Sequence, residues 1–204
     1  MLRSPNQQLN RALYRSQQFF AALYTTLLSL IGISPPLGDR SIVEAALVMP
    51  AQRALFDRMP PSDQRHALAV AQTLQTHPEF ETLSDQQALL QAGLLHDMAK
   101  TLSQPLPHRI IIVLLEAFWP SLLVRWSAHG QLFTDSQTMF QIGWWRRPFI
   151  VHAQHPTIGA QWATDTACDP LAVQLIARHQ EKLICISSHE DRLLVMLQWA
   201  DNLN

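Results

Sequence analysis

The segment from Ser84 to Asp97 constrains the fold more than any other part of the chain. Its first residues, Ser84-Asp85-Gln86-Gln87, match a capping box, which predicts the start of a helix. The helix that follows is apolar on nearly every side, through Leu89, Leu90, Ala92, Leu94 and Leu95. It ends on His96-Asp97, and an imidazole beside a carboxylate is costly to bury unless another group compensates for the lost hydration. We therefore expect a buried helix that ends in a polar site.

Prolines separate the rest of the chain into further helices, because proline interrupts the helical pattern. Alternating patterns of the kind that indicate strands are almost lacking, so the predicted fold class is all-α. Helices are predicted over residues 7–32 and 41–58, the second interrupted at Pro50. Later helices are predicted to begin at Ser62, Pro156, Asp169-Pro170 and Ser188. The apolar faces of these helices carry His66, His179 and Asp201, and His155 directly precedes a predicted helix start.

The 204 residues fit one domain with helical additions. We assign residues 46–204 to this domain and residues 1–45 to an N-terminal helical extension. Residues 105–150 are less regular and hold four of the six tryptophans, which predicts an inserted helical segment. Its place between the segments that carry the polar residues makes this insertion a candidate lid, although packing is the commoner role of tryptophan.

Composition limits the partners of the chain. Lysine and arginine number 15 and acidic residues 16, so the basic excess that long nucleic acids require is missing. Charged residues make up only 15% of the sequence, against roughly 25% in average proteins. So apolar a composition favours self-association, and the N-terminal helices are the expected contact between copies.

The expected location is the cytoplasm. Cys168 and Cys185 are too few for a disulfide framework, and the apolar stretch 19–33 is too short to span a membrane. A signal peptide is the alternative for this stretch, but Ser34-Pro35-Pro36 follows where a small-residue cleavage site would be expected. We therefore predict no transmembrane helix.

Six polar side chains on or beside apolar helix faces form a candidate metal site. Imidazole and carboxylate ligands without thiolates suit divalent Fe, Mn, Mg, Zn, Co or Ni, and this ligand set does not choose among them. We predict a dinuclear site. One ion has the ligands His66, His96, Asp97 and Asp201, and the other has His155, His179 and a bridging Asp97. His152 is the alternative to His155, which is preferred because it lies at a predicted helix start.

A dinuclear site of this kind predicts phosphoester hydrolysis by a metal-bridging hydroxide. Asp97 and Lys100 are the predicted catalytic residues, and Lys100, one turn after His96, is placed to hold a phosphate oxygen as a point charge. Arg146, Arg147 and His152 are further candidate contacts to the substrate. The alternative is a purely structural role, in which the histidines are core residues with internal partners and the arginines are a solvated surface pair.

The order of these residues resembles the HD superfamily of metal-dependent phosphohydrolases, over roughly residues 46–204. Asp63-Gln64-Arg65-His66 resembles the family's opening histidine block, Leu94-Leu95-His96-Asp97-Met98-Ala99-Lys100 its His-Asp doublet, and Ala200-Asp201-Asn202 its closing aspartate. Residues 155–160 and 176–181 are similar to the dinuclear branch that includes the HD-GYP cyclic-di-GMP phosphodiesterases. Ala99 stands where that branch usually has glycine, and no Gly-Tyr-Pro motif follows His179. The resemblance implies an HD-domain helical bundle with phosphatase or phosphodiesterase activity on a small phosphorylated substrate such as a nucleotide.

Two other functions are compatible with the same ligands. Some dinuclear HD proteins resemble iron oxygenases, which consume oxygen together with an organic substrate. A non-catalytic signalling or interaction module would bind a metal or nucleotide without turnover, with the N-terminal helices as its partner surface. Metal analysis combined with a substrate screen separates the three.

Overall fold

A computed structural model describes residues 40–102, 108, 111–112, 114–115, 118–128 and 142–204 of the chain. Every regular element in these ranges is helical, so the predicted all-α class is confirmed. The α-helices are α1 (Ser41–Ala46), α2 (Pro50–Asp57), α3 (Pro61–Gln75), α4 (Gln86–Leu95), α5 (Pro120–Ser127), α6 (Arg147–Asp165), α7 (Pro170–Arg178) and α8 (His189–Leu203). Short 3₁₀ helices cover Phe80–Thr82 and Met98–Leu102.

Helix α4 lies at the centre of the described bundle. All of its residues from Ala88 to Leu95 are buried. It packs against α1, α2, α3, α7 and α8, as expected for a helix that is apolar on nearly every side. The His96-Asp97 pair follows its last residue and is therefore surrounded by neighbouring helices.

Several predicted helix boundaries agree with the structure. Helices α2 and α7 begin at Pro50 and Pro170, where the missing N–H of proline costs no helical hydrogen bond. Asp169 caps α7 by accepting a hydrogen bond from the N–H of Leu171 at 2.8 Å. Ser188 and Asp191 form a capping box at the start of α8. The interruption predicted at Pro50 and the helix starts predicted at Asp169-Pro170 and Ser188 are confirmed.

Two predicted caps are wrong. Helix α3 begins at Pro61, and the hydroxyl of Ser62 lies inside its first turn, donating to the carboxylate of Asp63 at 3.1 Å. Helix α4 begins at Gln86, and the hydroxyl of Ser84 donates to the carboxylate of Asp85 at 2.7 Å. In both places the serine is engaged by the carboxylate of the next residue and does not accept from the helical N–H groups.

The predicted helix start at Pro156 is also wrong. Helix α6 runs continuously from Arg147 to Asp165 and contains Pro156 in its interior. The proline in the first turn of this helix is Pro148. His155 therefore projects from the middle of a long helix whose buried residues include Phe149, Ile150, Val151, Ile158 and Ala163.

The two predicted additions to the domain are only partly described. Residues 1–39 of the extension, and with them the predicted contact between copies, lie outside the described residues, while α1 packs against α3 and α4. In the predicted insertion, α5 packs on α6, where Leu123 and Phe149 belong to a small separate apolar cluster. The lid role of the insertion stays a prediction. None of the described helices is both long and apolar enough to cross a lipid bilayer.

Gln91 is a buried polar residue within the otherwise apolar α4. Its Nε2 donates to the carbonyl oxygen of Ala46 at 3.1 Å, and its Oε1 accepts from the N–H of Asp169 at 3.0 Å. Ala46 is the last residue of α1 and Asp169 is the cap of α7. One side-chain amide thus joins three helices.

Replacing Gln91 with leucine is expected to destabilise the fold by about 2 kcal/mol, because two main-chain groups lose their partner. Urea unfolding followed by circular dichroism measures the change. Gln87→Leu, at an exposed position of the same helix, is the matched control and should change stability by less than about 0.5 kcal/mol. Equal losses in the two variants would show that the bonds of Gln91 contribute nothing specific.

Candidate metal centre

Six of the predicted site residues meet around the C-terminal end of α4. The structure gathers them into two groups, within each of which the potential ligand atoms lie within 4.8 Å of one another. The outer group consists of His66 from α3, His96 after α4 and Asp201 from α8. The inner group consists of Asp97 after α4, His155 from α6 and His179 after α7. Each group could hold a metal ion.

The two groups differ in their exposure to solvent. In the inner group the side chain of His155 is fully buried and that of His179 is 4% exposed. In the outer group the side chains of His66 and Asp201 are 28% and 36% exposed. Solvent therefore reaches the outer group directly, whereas the inner group is enclosed by the bundle.

Asp97 belongs to the inner group and also faces the outer one. Its Oδ1 is 3.3 Å from Nε2 of His155 and 3.7 Å from Nε2 of His179. Its Oδ2 is 3.6 Å from Nε2 of His96. The two oxygens of one carboxylate thus face different groups, which is the arrangement that a bridging ligand requires.

Asp201 connects the two histidines of the outer group. Its Oδ1 lies 3.0 Å from Nε2 of His66 and 3.4 Å from Nε2 of His96. His66 and Asp201 are far apart in the sequence, and the packing of α3 against α8 brings them together.

Three of the four histidines are oriented in the same way. In each, Nδ1 lies within hydrogen-bond distance of the main-chain carbonyl oxygen three residues earlier, at 3.0 Å for His96, 2.7 Å for His155 and 2.8 Å for His179. Because a carbonyl oxygen only accepts, Nδ1 carries the proton in all three rings. When the ring is neutral, its Nε2 therefore presents a lone pair toward the groups. Bonds of this kind commonly orient metal-binding histidines.

The inner group has the properties of a cation site. Nε2 of His155 and Nε2 of His179 are only 3.1 Å apart. Burial lowers the pKa of both imidazoles, and that of His179, which is also close to His96, falls to about 3. Two neutral rings then direct lone pairs at each other, beside an Oδ1 of Asp97 that is buried without a hydrogen-bond donor among the described residues. Three acceptors around one point fit a divalent cation.

The outer group differs in its electrostatics. Burial alone would lower the pKa of His96, but the charges of Asp97 and Asp201 outweigh it and raise that pKa to about 9. Burial would raise the pKa of Asp201, but hydrogen bonds from His66 and His96 hold it below its usual range. Without a metal, His96 therefore carries an extra proton at neutral pH. A divalent cation can replace this proton, because the same carboxylates stabilise either positive charge.

Lys100 forms an ion pair with Asp97 inside the site. Its Nζ lies 2.5 Å from Oδ2 of Asp97. Burial would lower the pKa of Lys100, but the charges of Asp97, Asp201 and Asp63 raise it above its usual value. Burial would likewise raise the pKa of Asp97, and the charges of Lys100 and His96 hold it well below its usual range. Lys100 is thus a charged neighbour of the carboxylate between the groups, and its contact to phosphate stays a prediction.

The two predicted substrate-binding arginines bind main-chain carbonyl groups. Arg146 donates to the carbonyl oxygens of Trp126 and Ala128 at 3.3 Å and 2.9 Å, and Arg147 donates to that of Ile142 at 3.1 Å. The bonds of Arg146 fasten the end of α5 to the start of α6. Both arginines thereby contact the main chain of the predicted insertion, and the phosphate clamp stays a prediction.

His155 rather than His152 belongs to the inner group. His152 contributes its carbonyl oxygen, which accepts from Nδ1 of His155. The role of His155 as a metal ligand stays a prediction, and its predicted reason, a helix start at this residue, is wrong.

Two residues beside the inner group were not predicted from the sequence to be site residues. A Cβ atom on Gly159 would lie 3.3 Å from Cγ2 of Ile176, so the glycine allows α6 to approach α7 closely, one turn after His155. Gln180 places its amide nitrogen 3.4 Å from Nε2 of His155. A glycine four residues after one candidate ligand and an amide directly after another were the available signals.

No family model, curated protein or solved structure matches this chain. The assignment of the site therefore rests on its own geometry. That geometry consists of two groups of imidazole and carboxylate ligands with the carboxylate of Asp97 between them.

Ligand substitutions are expected to remove metal from the two groups separately. His66→Gln and His179→Gln should each lower the metal content by about one ion per chain, because each leaves the other group intact. Asp97→Asn should lower the occupancy of both groups, because the oxygens of this carboxylate face both. Mass spectrometry of reconstituted, desalted protein measures the content.

The control for these substitutions is His189→Gln. His189 pairs with Asp85 at 2.8 Å and belongs to neither group, so its loss should leave the metal content unchanged. The assignment of ligands is wrong if the His66 and His179 variants keep the full metal content of the unmodified protein.

Proposed function

We propose that this protein is a metal-dependent phosphohydrolase with an HD-type helical bundle and a dinuclear site. The observation that carries the proposal is the position of Asp97, whose oxygens face an outer and an inner group of potential ligands. A pair of metal ions close together is a common arrangement for displacement at phosphorus. The order of the six residues along the chain, which resembles the HD superfamily, supports the same reaction class.

The outer and inner groups would each hold one divalent ion. When bound, the ions supply Lewis acidity toward phosphoryl oxygens and lower the pKa of the attacking water. The donors are imidazoles and carboxylates, and neither group contains a thiolate. This set suits Fe, Mn, Mg, Zn, Co or Ni and disfavours softer ions.

The charge of the site favours a small phosphorylated substrate. The imidazoles are taken as neutral, so the charged side chains of the site are Asp97, Asp201 and Lys100. Their net charge is about −1, and two divalent ions would raise the charge of the site to about +3. The chain as a whole has a formal charge of −1 and no broad basic excess for long nucleic acids. A positive site on such a chain selects compact anions, and we assign the substrate to the phosphomonoesters or phosphodiesters of the nucleotide class.

In this proposal the side chains of the site set the spacing, the charge and the accessibility of the two groups. Asp97 sets the spacing of the two groups, and Lys100 holds its Oδ2 while keeping a positive charge beside the site. The exposed side chains of His66 and Asp201 leave the outer group open to the substrate. The enclosed histidines of the inner group limit access of bulk water, which strengthens electrostatic interactions with a bound phosphate.

Turnover of model substrates tests this function. Protein reconstituted with each metal is expected to hydrolyse p-nitrophenyl phosphate or bis(p-nitrophenyl) phosphate, followed by members of a panel of nucleotides and cyclic dinucleotides, and EDTA should abolish the activity. Asp97→Asn should lower kcat/KM by at least about a thousandfold, because it removes the charge that both ions share. Asp165→Asn, at an exposed carboxylate at the end of α6, should leave kcat/KM unchanged.

The other two functions give different results in the same experiment. Metal-loaded protein that turns over none of the substrates contradicts the hydrolase and favours a binding module. Iron in the purified protein together with oxygen consumption contradicts it in favour of an oxygenase.

A further inference from the structure

Pro156 occupies an unusual position, because it is buried in the middle of α6 and directly follows His155. Proline has no N–H, so the carbonyl group four residues earlier loses its helical hydrogen bond. In α6 that carbonyl belongs to His152. A proline inside a helix is destabilising, and its presence here suggests a use for the carbonyl that it frees.

The carbonyl that Pro156 frees is the one that orients His155. Nδ1 of His155 lies 2.7 Å from the carbonyl oxygen of His152, the shortest of the three corresponding distances in the site. In an uninterrupted helix the N–H of residue 156 would donate to this same oxygen. The imidazole would then compete with the backbone for its acceptor.

The other two buried histidines need no proline. Nδ1 of His96 bonds to the carbonyl of Gly93, and Nδ1 of His179 bonds to that of Ile176. Both carbonyls belong to the last turn of a helix, where the helical pattern of donors ends. Of these three histidines, only His155 lies within a helix. Pro156 leaves its acceptor carbonyl without a helical donor, as a helix end does for His96 and His179.

We propose that Pro156 is a positioning residue for the inner metal. By removing the helical donor to the carbonyl of His152, it fixes the proton of His155 on Nδ1 and directs the Nε2 lone pair toward Asp97 and His179. This inference rests on the proposed metal-dependent function and deepens it. It assigns the orientation of one ligand to a residue that offers no ligand atom itself.

The experiment compares Pro156→Ala with Pro148→Ala. Pro148 lies in the first turn of α6, where N–H groups have no helical acceptor, so its replacement restores no competing hydrogen bond. In ¹⁵N-labelled, metal-free protein, long-range ¹H–¹⁵N correlation spectra show which nitrogen of His155 carries the proton. The expected result is the Nδ1–H form in the unmodified protein and in Pro148→Ala, and a substantial Nε2–H population in Pro156→Ala.

The second readout is the affinity of the inner group for Zn²⁺. It is measured by competition with a chromophoric chelator in a His66→Gln background, which disables the outer group. Pro156→Ala is expected to weaken Zn²⁺ binding by about 10–100-fold. The melting temperature of the metal-free protein should not fall, because the helix regains a hydrogen bond.

Each other result has a distinct meaning. Unchanged Zn²⁺ affinity in folded Pro156→Ala overturns the proposal, and weaker binding with a lower melting temperature and an unchanged spectrum assigns Pro156 a purely structural role. If Pro156→Ala does not fold, the spectrum of the unmodified protein decides, since an Nε2–H form of His155 contradicts the proposed device and the Nδ1–H form supports it. Failure of the unmodified protein to bind Zn²⁺ overturns the proposed function instead, and neither readout requires turnover.

Discussion

Main-chain carbonyl groups orient the buried histidines of this protein, and the geometry of the candidate metal centre depends on them. A neutral imidazole can carry its proton on either nitrogen, and only a fixed acceptor decides between the two. His96, His155 and His179 each find that acceptor three residues earlier in their own segment. The orientation of these candidate ligands is therefore encoded locally, in the short stretch of chain that carries each histidine, even though the three histidines come from different parts of the bundle.

Burial determines how the two groups differ. The inner group combines imidazoles whose pKa values are lowered by burial with the buried Oδ1 of Asp97, so three potential acceptors meet there. The outer group is balanced by the carboxylate of Asp201 and is open to solvent. Lys100 compensates part of the negative charge on the opposite side of Asp97. Such mutual compensation explains how a polar pair can follow directly after the most buried helix of the bundle.

The sequence was a good guide to the helices and a weaker guide to local details. The apolar character of nearly every side of α4 predicted its burial, the signals at Asp169 and Ser188 predicted helix starts, and Pro50 predicted an interruption. These features depend on neighbouring residues alone. The start at Pro156 was wrong because a proline is compatible with either the first turn or a costly interior position, and packing decides which. The serines expected to cap α3 and α4 bind adjacent carboxylates, and Arg146 binds the end of α5, which no local pattern indicates.

The amino-acid sequence alone was enough to predict the all-α class and the kinds of side chain that could form a metal site. It could not determine the distances among them, because the residues concerned are brought together by helix packing; His66 and Asp201 are 135 positions apart in the chain and only 3.0 Å apart in space. Helix packing turns the two oxygens of Asp97 toward different groups and places His155 in the inner one. It also decides the direction of each pKa shift, because burial and neighbouring charges arise only when the helices are packed.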